Sequence, residues 1–107
     1  MNEETQKAMA LAKTCGLQFV DLSELEPIPN KTLALLRNEV AIQDEALPIS
    51  LTGDVVTVAI SNPVQEKMDV ISGLLHPLEA RFYLAAPNKL KIALGENYSN
   101  QLVAEGT

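Results

Sequence analysis

A histidine works as a base or a metal ligand when a carboxylate, a thiol or a second imidazole stands beside it. His76, the only histidine, has no such neighbour in sequence and precedes Pro77 at a predicted loop, so it reads as a surface turn residue. Cys15 is the only cysteine, which excludes an internal disulfide and a cysteine cluster for zinc. It falls on the apolar stripe of a predicted helix and reads as a small buried hydrophobe. The glycines Gly16, Gly53, Gly73, Gly95 and Gly106 are isolated, so no glycine-rich loop exists to cradle a phosphate. Glu24 and Glu26 in a loop, and Asp44-Glu45 before a strand, read as solvated charge, not as paired catalytic or magnesium-binding carboxylates. Lys89 and Lys91 open a helix, where cations oppose the dipole unless an acidic partner faces them. The inventory predicts no catalytic, cofactor-binding or metal-binding residue, no cofactor, and no enzyme.

The elements that position these residues follow from periodicity and turn chemistry. Ala8, Leu11, Ala12 and Cys15 recur at helical spacing and predict a first helix over about Glu4 to Cys15, stopped by Gly16. Phe19 to Leu22 reads as a short extended piece, and Pro27 and Pro29 bracket a loop. Asn30 caps a second predicted helix to about Asn38, with a continuation over Glu39 to Asp44 after a break. Leu47, Ile49 and Leu51 alternate with polar or proline positions, a strand that Pro48 confines to a sheet edge unless Pro48 sits at its start. Gly53-Asp54 is a two-residue hairpin turn into Val55 to Ile60, a β-branched strand.

Asn62-Pro63 reads as N-cap and first position of a further helix to about Gly73, with Gln65 closing a capping box and Val64, Met68, Ile71 and Leu75 along one face. Leu78, Ala80, Phe82 and Leu84 alternate with Glu79, Arg81 and Tyr83 in another strand. Pro87 and Asn88 open a last helix with Leu90, Ala93, Leu94 and Tyr98 on one side. The expected fold class is α+β, a small domain in the order α-α-β-β-α-β-α. Helices pack on a three- to four-stranded sheet made of a hairpin plus a crossover. That crossover is right-handed if its strands pair in parallel. Residues 1–98 form the domain, and 99–107 a small, polar tail or linker.

The chain has 107 residues, enough for a single core, and 47% of them are hydrophobic against 21% charged. Aromatics are only 4%, so the core is aliphatic. The net charge of −6 argues against binding a phosphate backbone and predicts no nucleic-acid partner. The acidic start lacks a signal-peptide pattern and no apolar run would span a bilayer, so a cytoplasmic domain without direct membrane insertion is expected.

Several words of the sequence, in order, resemble the N-terminal domain of type II secretion and type IV pilus assembly ATPases. Gly16-Leu17-Gln18-Phe19-Val20-Asp21-Leu22 is similar to that family's "LGLPFVDL", and Ala46-Leu47-Pro48-Ile49 to its "ALPL" strand. Residues Pro29 to Leu36 follow its helix ending in "LLP", and Ala41 stands where it has "LA". Val56 to Pro63 is similar to "LTVAMADP", and Ile92 to Tyr98 to its closing helix with a terminal tyrosine. Gln18, Arg37 and Asn62 depart from the family's Pro, Pro and Asp.

The resemblance implies a bacterial, non-catalytic interaction or regulatory module that docks onto an inner-membrane platform protein or regulates an assembly ATPase. The first helix and the Pro48 edge are the candidate surfaces. The alternative it implies is a cyclic di-GMP sensor, since some relatives bind that dinucleotide through tandem RLG…LxxxLxxQ motifs. Here Leu11 fits one leucine, but Lys7 and Thr14 stand at the other leucine and the glutamine, and the RLG starts are absent. Cyclic di-GMP is therefore not expected to bind. The chain reads either as a domain of a longer ATPase or as a free-standing relative. Its first helix is expected to fold back onto the sheet, shielding Cys15, or to pair with a second chain as a homodimer.

Overall fold

Glutamates at the start of a helix and a lysine at its end complement the helix dipole, and the first helix has this arrangement. In the computed structural model, which describes residues 3–24 and 27–99, α1 spans Glu3–Cys15 with Glu3 and Glu4 in its first turn and Lys13 in its last. It ends where Gly16 takes φ +74°, a conformation glycine adopts without Cβ strain. The Leu17 N–H donates to the Ala12 carbonyl (2.9 Å) and the Gly16 N–H to that of Lys13 (3.3 Å), the paired bonds of a Schellman stop.

After α1 come β1 (Gln18–Phe19), a 3₁₀ turn (Leu22–Glu24), α2 (Asn30–Leu33), α3 (Asn38–Asp44) and β2 (Ala46–Thr52). Then follow β3 (Val55–Ile60), α4 (Gln65–Leu75), β4 (Glu79–Leu84) and α5 (Pro87–Leu94), which runs into a π-type turn over Gly95–Ser99.

The sheet has four strands in the order β1-β4-β3-β2. The hairpin β2–β3 is antiparallel and closes at Gly53, whose φ is +60°. The β3–α4–β4 crossover joins strands that pair in parallel, Val55 with Glu79 through Ile60 with Leu84. The α+β class and the hairpin-plus-crossover sheet are as the sequence predicts. The observed order adds β1, which pairs in parallel with β4 only at Tyr83 and Leu84. Pro48 pairs with Val58 but Ser50 with Thr57, a bulge beside the residue that has no N–H to donate.

Register puts Val56, Val58 and Ile60 on one face with Ala80, Phe82 and Leu84. The core is aliphatic, joining these strands to Ile71 and Leu75 of α4 and to Leu90 and Leu94 of α5. Tyr98 is fully buried, and its hydroxyl donates to the Leu33 carbonyl at 3.0 Å, fastening the end of α5 to α2.

Several local expectations are corrected. On α1 the buried face is Thr5, Ala8 and Ala12; Leu11 and Cys15 are exposed. The helix does fold back, against β1, β4 and α5, but through its small residues, so Cys15 is not shielded. Pro29, not Asn30, takes the N-cap place of α2, and the helix stops at Leu33, where the Leu35 and Leu36 N–H groups donate to the Thr32 and Leu33 carbonyls (3.1 and 3.4 Å) in a tighter turn. Asn62 does not cap α4: the Val64 N–H donates to the Asn62 carbonyl (2.8 Å) in a tight turn that delays the helix to Gln65. The Gln65 amide donates to Asp69 Oδ1 (2.8 Å) instead of closing a capping box, and α4 runs past Gly73. The predicted tail falls mostly on residues 100–107, outside the described residues.

Candidate functional site

The last helix is built to be held tightly on one side. Pro87 sits at its first positions with its φ already helical, and Leu90 and Leu94 bury one stripe. Its N-terminus is capped from α1: Glu4 Oε1 accepts from the Asn88 backbone N–H (2.6 Å), and its other oxygen from the Asn88 side-chain amide. A carboxylate there meets the positive end of the dipole, so α1 and α5 stabilise each other.

The opposite side of α5 faces water and carries Ile92, 62% exposed. An open cleft runs along each flank of the helix. One, of about 430 Å³, lies toward α3 and is lined by Ile42, Gln43, Glu45, Lys91, Leu94 and Gly95. The other, of about 240 Å³, lies toward the 3₁₀ turn and is lined by Leu22, Ser23, Lys89, Ile92, Ala93 and Glu96. Lys89 stands 3.6 Å from Asp21 Oδ1, which also accepts from the Ser23 hydroxyl (2.6 Å) and backbone N–H (3.0 Å). The Ser23 bonds, with Lys89 beside them, hold the Asp21 carboxyl below its ordinary range. Lys91 enters no ion pair among the described residues. The surface thus offers an apolar ridge, apolar-floored clefts and one free cation, which suits recognition of a protein surface.

The other residues singled out in the sequence do not converge. His76 is exposed at the end of α4, and Cys15 lies at the end of α1. Glu26 and the side chain of Glu24 lie outside the described residues. Asp44 ends α3, and Glu45 follows it at φ +50°, its carboxylate accepting weakly from the Ser61 hydroxyl at 3.5 Å. Lys89 meets Asp21 of its own chain, which is the acidic neighbour its place on the helix asked for. β2 is an edge strand of the sheet, as Pro48 leads one to expect, but Pro48 itself is fully buried and α2 and α3 pack against β2, so Pro48 offers no docking surface. The first helix does present Met9 and Leu11, 45% and 39% exposed.

No group of three or more histidine, cysteine or acidic side chains able to hold a metal occurs among the described residues. Nor is any described helix long and apolar enough to cross a membrane. The stripe Leu90, Ala93, Leu94 and Tyr98 read in sequence already leaves Ile92 off the buried side of the helix; what that reading missed is the pair of clefts beside it, which α3 and the 3₁₀ turn complete.

The MshEN domain model matches residues 15–104. The type IV pilus assembly ATPase PilB of Thermus thermophilus is 40% identical over 79 residues, which is 73% of this chain and 8% of that protein. The chain therefore spans a small part of the curated relative it matches. A structure of MshE with cdg superposes with a TM-score of 0.79 at 25% identity, covering 92% of this chain and 70% of that one. The N-terminal domain of XpsE superposes with a TM-score of 0.70 at 19% identity, over 89% of this chain and 66% of that one, and shares the fold.

Proposed function

The chain belongs to the MshEN domain family, the N-terminal domain of type II secretion and type IV pilus assembly ATPases, and from this we propose that it is a non-catalytic docking or regulatory module of such a system. The observation that carries the reading is Ile92, more than half exposed on α5 between two clefts. A large aliphatic side chain left in water beside apolar-floored clefts is stabilised when a partner covers it, at about 25 cal/mol per Å² removed from water. The partner is the inner-membrane platform protein or the assembly ATPase, in the cytoplasm. It presents an apolar side chain to the clefts and a carboxylate to Lys91. Calorimetric titration with the platform protein's cytoplasmic domain tests this. Binding at about tens of micromolar or tighter, lost in Ile92→Asp, is expected; no binding in that range by the unaltered chain overturns the docking role.

A second reading is favoured by the likeness to MshE, whose structure was solved with cdg. On this reading the chain binds cyclic di-GMP, with α1 and residues from outside this chain forming the site. A thermal-shift titration separates the two. Dinucleotide at 100 times its Kd adds about 2.7 kcal/mol to stability, and no shift leaves the docking role alone.

A further inference from the structure

Along one side, β4 pairs with β3 over its full length from Glu79 to Leu84. Along the other, β1 reaches only Tyr83 and Leu84 before the chain turns away at Gly16. The segment from Glu79 to Phe82 therefore has no strand on that side among the described residues. It borders an open cleft of about 390 Å³ lined by residues 16–18 and 80–83.

Backbone groups of successive strand residues point to opposite edges. The Ala85 N–H donates to Ile60 on β3 (2.8 Å) and the Glu79 N–H to Asp54 on the same side (2.7 Å). The Leu84 carbonyl, in contrast, accepts from Val20 beyond β1 (2.9 Å). By this alternation the N–H and C=O of Ala80 and the N–H of Phe82 face the open edge. An unpaired edge is a template for another strand.

We infer that this edge joins two copies of the chain, β4 against β4 in antiparallel register about Ala80, with Glu79 of each copy beside Arg81 of the other. With Ala80 opposite itself, its N–H and C=O pair reciprocally across a two-fold axis. Glu79 then stands opposite Arg81 at the closely spaced position, about 4.5 Å between Cα atoms, where cross-strand charges act most strongly. Both side chains are available, 65% and 60% exposed, and within one chain they meet only at 3.7 Å. The neighbouring registers fail. Setting Ala80 opposite Phe82 brings Arg81 against Arg81, and setting Phe82 opposite itself requires Leu84, which β1 already occupies. A self-complementary pattern selects the second copy over an arbitrary peptide. The surface is separate from the α5 face, so Ile92→Asp leaves it intact.

Sedimentation equilibrium of the full chain, from about 10 µM to 1 mM, tests the inference. The expected result is reversible dimerisation at the upper end, weakened by salt. Arg81→Glu places Glu against Glu at both sites and is expected to lower the association constant about tenfold or more. Glu79→Arg does the same with arginines. An equimolar mixture of the two variants, and the double swap Glu79→Arg/Arg81→Glu, each restore opposite charges and association. Circular dichroism confirms that these exposed substitutions leave the fold unchanged. A monomer throughout the range, a dimer indifferent to Arg81→Glu, or variants that fail to rescue one another overturns the proposal, as does strand addition by a different polypeptide at this edge.

Discussion

Tyr98 is held wholly out of water with its hydroxyl on the Leu33 carbonyl, and burial pushes its phenol above the ordinary value of 10.0. Replacing it by Phe keeps the packing and removes one buried hydrogen bond, so Tyr98→Phe is expected to cost about 1 kcal/mol in urea unfolding. The pH dependence has a definite sign. The unfolded chain ionises this phenol from about pH 10, whereas the folded chain resists to higher pH, so its contribution is complete below pH 10 and falls above it. The slope is about 1.4 kcal/mol per pH unit. Stability should be flat in this respect below pH 10 and approach this slope between about pH 10 and 12, and Tyr98→Phe should remove it. Glu45 offers the opposite case, a glutamate at φ +50°. A left-handed conformation costs a residue with a Cβ about 1 kcal/mol or more, and its bond from Ser61 is long at 3.5 Å. Glu45→Gly is expected to raise stability by about 0.5–1 kcal/mol in the same assay.

At the scale of elements, α1 is attached by small residues, which let its backbone approach the sheet, and by the Glu4 cap on α5. Ala12 is 2% exposed, so Ala12→Leu overpacks the contact and should cost about 1–3 kcal/mol. Leu11→Ala and Cys15→Ala lie on the solvent side and should change stability by less than about 0.5 kcal/mol. The contrast, read from unfolding midpoints, identifies the buried face. For the same reason a thiol reagent should label Cys15 at every dilution of the chain.

For the whole molecule, the residues that stabilise the fold and the proposed recognition surface lie on opposite sides of α5. Leu90 is fully buried, and Leu90→Ala should cost about 2–5 kcal/mol, unfolding a large share of the chain at 37 °C. Ile92, two residues on, is exposed, and Ile92→Asp should leave stability within about 0.5 kcal/mol while abolishing capture of the partner. Parallel unfolding and titration experiments on the two variants check this separation.

Much of the fold is legible in the residues themselves. The β-branched run Val55 to Ile60, the turn at Gly53, the alternation through β4 and the proline opening α5 are local signals, and each acts within a few residues. The family is legible too, because its words keep their order. Tertiary structure alone decided the rest. A strand as short as Gln18–Phe19 has no period to read, and it exists because Leu84 offers it an edge. The start of α4 moved from Pro63 to Gln65 because the chain turns at Asn62 before the helix begins. Apolar spacing marked Leu11 and Cys15 as readily as Ala8 and Ala12, yet only the small residues fit the closeness of α1 to the sheet. The candidate site was legible in part: the stripe Leu90, Ala93, Leu94 and Tyr98 leaves Ile92 outward, but the clefts on either side of it are formed with α3 and the 3₁₀ turn, which are distant in sequence.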